Sequence, residues 1–334
     1  LLLRCLKSLI YNSVAELRIN SFSSALTFAY LCVMKNVILS VVLVALSGLG
    51  SVSASEHGAL RDSIRRFVAG FKAETGVAVM LPDGDTLSVN NNRRYPMLSV
   101  VKLPLGMAVA DMMERRRLPL DTEVEVAKTD LVPDTYSPLR DARPNGGFQM
   151  TVEELLNYSL QLSDNNACDI LFRFVGGTAV VERYVHSIGV QECNIRCTEE
   201  QMHFHPDDCY LNYSTPLAAV RLLNVLGEEA KERPLFGHVM QTIGACETGL
   251  NRIPHPLTDT GAVVYHKTGT GGYNARGQLV AVNDIGIVEL PGGITYTLAV
   301  FVKDSSESPE TTESIIAGVS KIVYDYVIEN NKKY

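Results

Sequence analysis

Ser99 and Lys102 stand three residues apart in Ser99-Val100-Val101-Lys102, at the start of a helical pattern, so both side chains face the same way. A serine hydroxyl is a poor nucleophile, and a nearby lysine lowers the cost of deprotonating it. The positive end of the helix dipole, where Ser99 falls, favours the negative charge developing on its oxygen. Alone, Ser-x-x-Lys arises by chance about once in a chain of this length. Two further segments come later in the chain: Ser163-Asp164-Asn165, which also reads as an ordinary stop-and-cap signal, and Lys267-Thr268-Gly269-Thr270 at the end of a strand pattern. All three together, in this order, are much harder to assign to chance.

The ordered triple resembles the signature of class A serine β-lactamases and penicillin-binding proteins. The likeness to the class A enzymes extends over essentially all of residues 55–330 and includes the separations between the motifs. It implies that Ser99 attacks the lactam carbonyl, its proton taken by Lys102 or by Glu199 through a water. Ser163 is then the proton relay to the leaving nitrogen, supported by Lys267, and Asn165 holds the substrate's side-chain amide. The backbone N–H groups of Ser99 and Thr270 form the implied oxyanion hole. Tyr136, in Tyr136-Ser137-Pro138, looks like the aromatic wall of the cleft.

In the class A enzymes an omega-shaped loop supplies the Glu that activates the deacylating water, usually as Glu-x-x-x-Asn. Here Thr198-Glu199-Glu200-Gln201-Met202-His203 fits with Glu199 as the base and His203 in the Asn position. Imidazole can also donate or accept a hydrogen bond. Glu200 is the rival base, ranked second because its fourth neighbour is Phe204. The pattern is similar to the PER-type extended-spectrum branch, which implies a widened cleft and cephalosporin turnover. The same loop holds Cys193, Cys197, His203, His205, Asp207 and Cys209, whose spacing matches no standard zinc motif. No metal and no cofactor is expected.

A β-lactam carries a carboxylate, which a bidentate Arg or a Lys/Thr pair would hold. Lys267, Thr268, Gly269 and Thr270 resemble the family's carboxylate-binding strand. Arg276 and Arg252 compete as the accompanying guanidinium, and either is equally an ordinary ion pair. Two rival functions remain open: a penicillin-binding DD-peptidase or transpeptidase, which lacks the loop Glu, and a β-lactam sensor that stays acylated.

The hydrophobic periodicities outline what must position these groups. Residues 55–73 pattern as an amphipathic helix and 76–89 as a β-hairpin. Helical signals cover 99–116, 151–162, 166–175, 177–187 and 214–226, interrupted by loop-rich 129–149 and 193–213. Strand patterns come next over 263–267, 277–288 and 294–302, then a helix over 309–329. Neighbouring strands usually pair. The expected fold class is therefore α/β of the α+β kind: an antiparallel sheet flanked by N- and C-terminal helices (residues 55–94 and 241–334), with an inserted all-helical domain (95–240).

The composition, 46% hydrophobic and 20% charged, is that of a globular protein, and a net charge of −7 argues against a nucleic-acid surface. Met34-Lys35, the apolar run 37–46 and the small residues up to Ala54 read as a secretory leader over 34–54. Residues 1–33 read as a non-native upstream extension, with a short anchor over 25–33 as the alternative. The expectation is a periplasmic monomer, free of the membrane, acting on a small β-lactam. Five cysteines lie beyond the leader: Cys168, Cys193, Cys197, Cys209 and Cys246. One disulfide within the clustered three suits an oxidising compartment.

Overall fold

A computed structural model describes residues 53–331. The expected extension and nearly all of the expected leader lie outside the described residues. Residues 59–334 form one compact unit, which carries every strand among the described residues and all the motif residues. In chain order the elements are α1 (Ser53–Val68), β1 (Glu74–Met80), β2 (Thr86–Val89), β3 (Tyr95–Pro96), α2 (Lys102–Arg116), β4 (Glu123–Val126), α3 (Pro138–Ala142), β5 (Phe148–Thr151) and α4 (Val152–Leu156). Next come α5 (Asn165–Val175), α6 (Thr178–Ser187), β6 (Cys193–Asn194), α7 (Glu199–Phe204), β7 (Tyr213–Ser214), α8 (Pro216–Glu232) and α9 (Pro234–Gly244). The last are β8 (Val263–Thr270), β9 (Leu279–Leu290), β10 (Ile294–Ser305) and α10 (Pro309–Asn331).

The main sheet is antiparallel, in the order β2-β1-β10-β9-β8. Its central strands are apolar on both faces, so each face needs a cover. Val77, Val79, Leu298, Val300 and Val302 share one core with Leu60 and Ile64 of α1 and with Ile315, Val319 and Val323 of α10. Ala78, Ile285, Ala299 and Phe301 point the other way, into a core with Val109 of α2, Leu223 of α8 and Val239 of α9. Each large apolar side chain buried this way contributes about 1.5–3 kcal/mol. The fold class and the flanking helices are as expected, but the insertion over 95–240 is not all-helical: it carries the short strands β3 to β7, paired as β4-β5 and β3-β7-β6, whose few residues leave no periodicity to read.

The local departures matter for the site. β8 runs three residues past its expected end, so Lys267 to Thr270 are all paired with β9, Lys267 opposite Ile285 and Gly269 opposite Asn283. The helix expected from residue 99 opens as a 3-10 turn, Leu98–Val101. The helix expected over 151–162 is α4 followed by a π-helical turn, Asn157–Gln161. The loop-rich stretches hold α3 and α7, whose N-caps Ser137 and Thr198 accept from Arg140 N and Gln201 N. All five described cysteines are free and buried, so no disulfide forms among Cys193, Cys197 and Cys209. No helix among the described residues is long and apolar enough to cross a membrane.

Candidate active site

Ser99 sits on the 3-10 turn that leads into α2. The preceding Leu98 is held at φ +48°, a left-handed conformation that a branched side chain adopts only when its surroundings impose it. Those surroundings are identifiable. Asn283 Nδ2 donates to the carbonyls of Pro96 (2.8 Å) and Met97 (3.2 Å), and Met97 N donates to Asn212 O (2.8 Å). Gly269 lets β8 press against this turn, because a Cβ there would stand 2.3 Å from Met97 O.

Lys102 begins α2 and is fully buried. Its Nζ lies 2.6 Å from Ser99 Oγ, 2.6 Å from Glu199 Oε1 and 2.7 Å from Asn165 Oδ1. An ammonium has three protons, and here each has an acceptor. Burial works to strip the charge from Lys102, but the Glu199 carboxylate outweighs it and holds the ammonium above its ordinary pKa. Glu199 Oε1 is also 3.5 Å from Ser99 Oγ. Glu200, by contrast, is exposed.

Ser163 follows the π turn at φ +62°, and its Oγ accepts from Lys267 Nζ at 3.0 Å. Lys267 is fully buried; desolvation, with Lys102 adding repulsion, brings it down to about 8. Asn165 opens α5 and donates from Nδ2 to Thr135 Oγ1 (2.8 Å). Asp164, its buried N-cap, accepts from Ala167 N, Leu139 N and Ser137 Oγ, tying the 135–139 segment to α5. Tyr136 stands on that segment with its side chain 57% exposed, while its carbonyl accepts from Asn165 N.

A cavity of about 220 Å³ opens between α7 and the end of β8, lined by Asn165, Glu199, His203, Thr270 and Tyr273 among others. His203 therefore shares the chamber with Glu199. Thr268 Oγ1 lies 2.5 Å from Thr248 Oγ1. The two arginines separate cleanly. Arg252 is buried and donates to Thr270 Oγ1, to the carbonyls of Gly269 and Asn283, and to Glu313 through both Nε and Nη2, which occupies all five of its N–H groups. It braces β8 and reaches the cleft through Thr270. Arg276 is 70% exposed and turned to Asp304 at 3.4 Å, so the structure does not bring it to the other site residues.

One residue of the site escapes motif reading. Asp169, one helical turn after Asn165 on α5, accepts from Glu199 N (2.8 Å) and Glu200 N (2.7 Å). With Thr198 taking Gln201 N, it satisfies the orphan N–H groups that begin α7. Burial and the nearby Glu199 charge push its carboxyl up to about 7 against the pull of those two N–H groups. The signal available was the i, i+4 spacing from Asn165. Asp169→Ala is expected to cost about 1–3 kcal/mol in denaturant melts, the penalty for orphaned donors. It should also lower kcat and KM together by loosening Glu199; an unchanged kcat would mean that α7 holds its place without it.

A family model described as the β-lactamase enzyme family matches residues 59–327. The chain belongs to the β-lactamase enzyme family, within class A. A β-lactamase of Bacteroides uniformis is 40% identical over 276 residues, covering 82% of this chain and 93% of that protein. The extended-spectrum β-lactamase PER-1 of Pseudomonas aeruginosa is 35% identical over 303 residues, 89% of this chain and 96% of that one. Among solved structures, the TLA-3 extended-spectrum β-lactamase superposes with a TM-score of 0.79 at 40% identity, covering 81% of this chain and 99% of its own.

Proposed function

We infer that this chain hydrolyses the amide bond of β-lactams through an ester on Ser99. The observation that carries the reading is Glu199 Oε1, 3.5 Å from Ser99 Oγ and 2.6 Å from Lys102 Nζ. The rival peptidase reading lacks this loop acid, and the rival sensor reading predicts an adduct that lasts.

The resting Lys102 donates all three of its protons and has no lone pair to offer. Glu199 is therefore the acceptor for the Ser99 proton, directly or through one water. As the tetrahedral carbon forms, the N–H groups of Ser99 and Thr270 hold its oxyanion; losing one such donor costs about 3 kcal/mol. Ser163 relays to the leaving nitrogen the proton that Glu199 took, which returns Glu199 to a carboxylate, and the Lys267 ammonium 3.0 Å away supports the charge it passes through. Lys267, Thr268 and Thr270 receive the drug's carboxylate, with Gly269 setting the closeness of the strand and Arg252 the orientation of Thr270. Asn165 and the Tyr136 rim take the acyl side chain's amide end. Glu199 then draws a proton from the water that cleaves the ester. The chamber between α7 and β8, with His203 in its wall, supports an extended spectrum with bulky cephalosporin side chains. The leader pattern over 34–54 supports export to the periplasm, where a monomer meets the drug.

A chromogenic cephalosporin assay tests this. The wild-type chain is expected to turn the drug over and Ser99→Ala to be inert; equal rates in the two would end the reading. The same assay across pH carries a second expectation. Lys267 loses its proton near pH 8, so kcat/KM should fall on the alkaline side through that value. A limb displaced to the usual lysine range, above about pH 10, would show that burial does not lower Lys267, and no limb at all would show that its charge is not required.

A further inference from the structure

Four of the five described thiols are buried sulfur of the ordinary kind, with Cys168, Cys193, Cys197 and Cys209 all pushed up by burial. Cys246 has different company. It sits in the bend between α9 and β8, 6% exposed, with its Sγ 3.3 Å from Thr248 Oγ1. Thr248 in turn touches Thr268 of the carboxylate-binding strand at 2.5 Å. On β8, buried His266 acts on the thiol electrostatically, and its Nδ1 lies 2.9 and 3.1 Å from the two carboxylate oxygens of Asp284 on β9. Gly286, the register partner of His266, lets β9 close on β8 at this point: a Cβ there would stand 2.9 Å from His266 Cβ. Thiol, imidazole and orienting carboxylate are brought together by the bend and two strands, a grouping that activates a side chain toward electrophiles. Nothing in the proposed hydrolysis uses it.

We propose that Cys246, backed by His266 and Asp284, is a thiol-modification site for low-mass disulfides and thiosulfonates, and that its state sets the charge on Lys267 next to it. The groups facing Cys246 are His266 and Lys267 on β8, Thr248 in its own bend, and Asp284 behind the imidazole. Burial alone would raise the thiol; His266 and the Lys267 charge overcome it and bring it to about 7. His266, which burial alone would lower, is carried up to about 10 by Asp284. Between those values the pair is thiolate and imidazolium. The thiolate is in turn the largest of the charges that keep a proton on Lys267 against desolvation.

With methyl methanethiosulfonate the step is balanced. The thiolate attacks the sulfenyl sulfur, a disulfide bond forms, and methanesulfinate leaves with the electron pair of the broken S–S bond. The cysteine sulfur is oxidised, the reagent reduced, and His266 keeps its proton. The neutral product leaves Lys267 without its counter-charge and crowds Thr248 against Thr268.

The test labels the folded full chain with one equivalent of this reagent from about pH 5 to pH 10 and locates the label by peptide mass. Cys246 is expected to react first, with a rate midpoint near 7 and a lead of at least about tenfold over the other thiols at neutral pH. His266→Asn should move the midpoint up toward the ordinary thiol range; if that variant does not fold, the wild-type midpoint decides. Label on another cysteine first, no label on the native fold, or a midpoint of about 9 or above overturns the proposal. The activity arm rests on the hydrolase reading: the labelled enzyme should show a higher KM and an alkaline limb moved below about pH 8, and Cys246→Ala should not respond to the reagent. Labelling without that change removes the link to Lys267. An enzyme inactive before labelling sinks the hydrolase reading alone, since the mass arm still reports on Cys246.

Discussion

Incubated with a penicillin, Glu199→Gln is expected to gain the mass of the intact drug and keep it for hours, while the wild-type chain returns to its unmodified mass within the mixing time. Glutamine keeps the shape of the side chain but takes no proton from water. A positioned general base contributes about 10²- to 10⁴-fold, so steady-state turnover should drop by at least about a hundredfold. Ester formation survives for a reason visible in the geometry. Lys102 is fully buried, and Glu199 is what holds its proton in place. Without that carboxylate, desolvation favours the neutral amine, whose lone pair then lies 2.6 Å from the Ser99 oxygen. The variant carries its own replacement base for the first half-reaction and has none for the second. KM should fall with kcat, leaving kcat/KM far less changed. Wild-type turnover by Glu199→Gln, with no adduct in the mass spectrum, would remove Glu199 from the mechanism.

Much of this was legible in the sequence because the chemistry sits in short motifs whose parts are local. Ser99 and Lys102 share one helical turn, and Lys267 to Thr270 share one strand, so spacing alone predicts that each set faces one way. The alternation along β1 and β10 and the amphipathic runs of α1 and α10 were equally plain. What periodicity misses is contact across the fold. Asp169 acts on the backbone N–H groups of Glu199 and Glu200, thirty residues away, and a backbone partner leaves no pattern in side-chain types. Arg252 and Arg276 are alike as letters; only the sheet register decides that one reaches Thr270 while the other turns out to Asp304. The π turn before Ser163 has the same composition as an ordinary helix end, and the difference lies in which carbonyl Leu162 N selects, that of Asn157. The grouping of Cys246, His266 and Asp284 joins a bend and two strands. Its members looked unrelated until β8 and β9 were in register.

Long-range contact is also why the turn carrying Ser99 is strained without being loose. Leu98 is left-handed, and Gly269, Asn283 and Asn212 surround the segment before it with contacts from β8, β9 and the α7 loop. Strain of this kind costs of order 1–3 kcal/mol and persists only where neighbours over-determine it. Ser99 is therefore held by three residues, Gly269, Asn283 and Asn212, whose side chains take no part in the proposed chemistry, and its hydroxyl reaches Lys102 and Glu199 as it stands.

Lys102→Met is expected to fail at the opposite step, forming no adduct at all. Methionine fills similar space but removes two things together. No cation remains 2.6 Å from Ser99 Oγ to steady the developing alkoxide, and no donor remains between Glu199 and Asn165. Glu199, 8% exposed, is then a buried carboxylate without its partner. Stranding such a charge costs about 3–5 kcal/mol; protonating it instead avoids that cost but destroys the base. Either way acylation loses both its electrostatic support and its proton acceptor, and kcat/KM should fall by at least about a thousandfold. Stopped-flow mixing with a chromogenic cephalosporin should show no burst, and intact mass no covalent drug. The double variant Lys102→Met/Glu199→Gln should regain stability in denaturant melts, because it removes the stranded charge, while staying as inactive as the single one. Near-wild-type acylation by Lys102→Met would mean that the buried ammonium only shapes the site, and that Ser99 is activated from elsewhere.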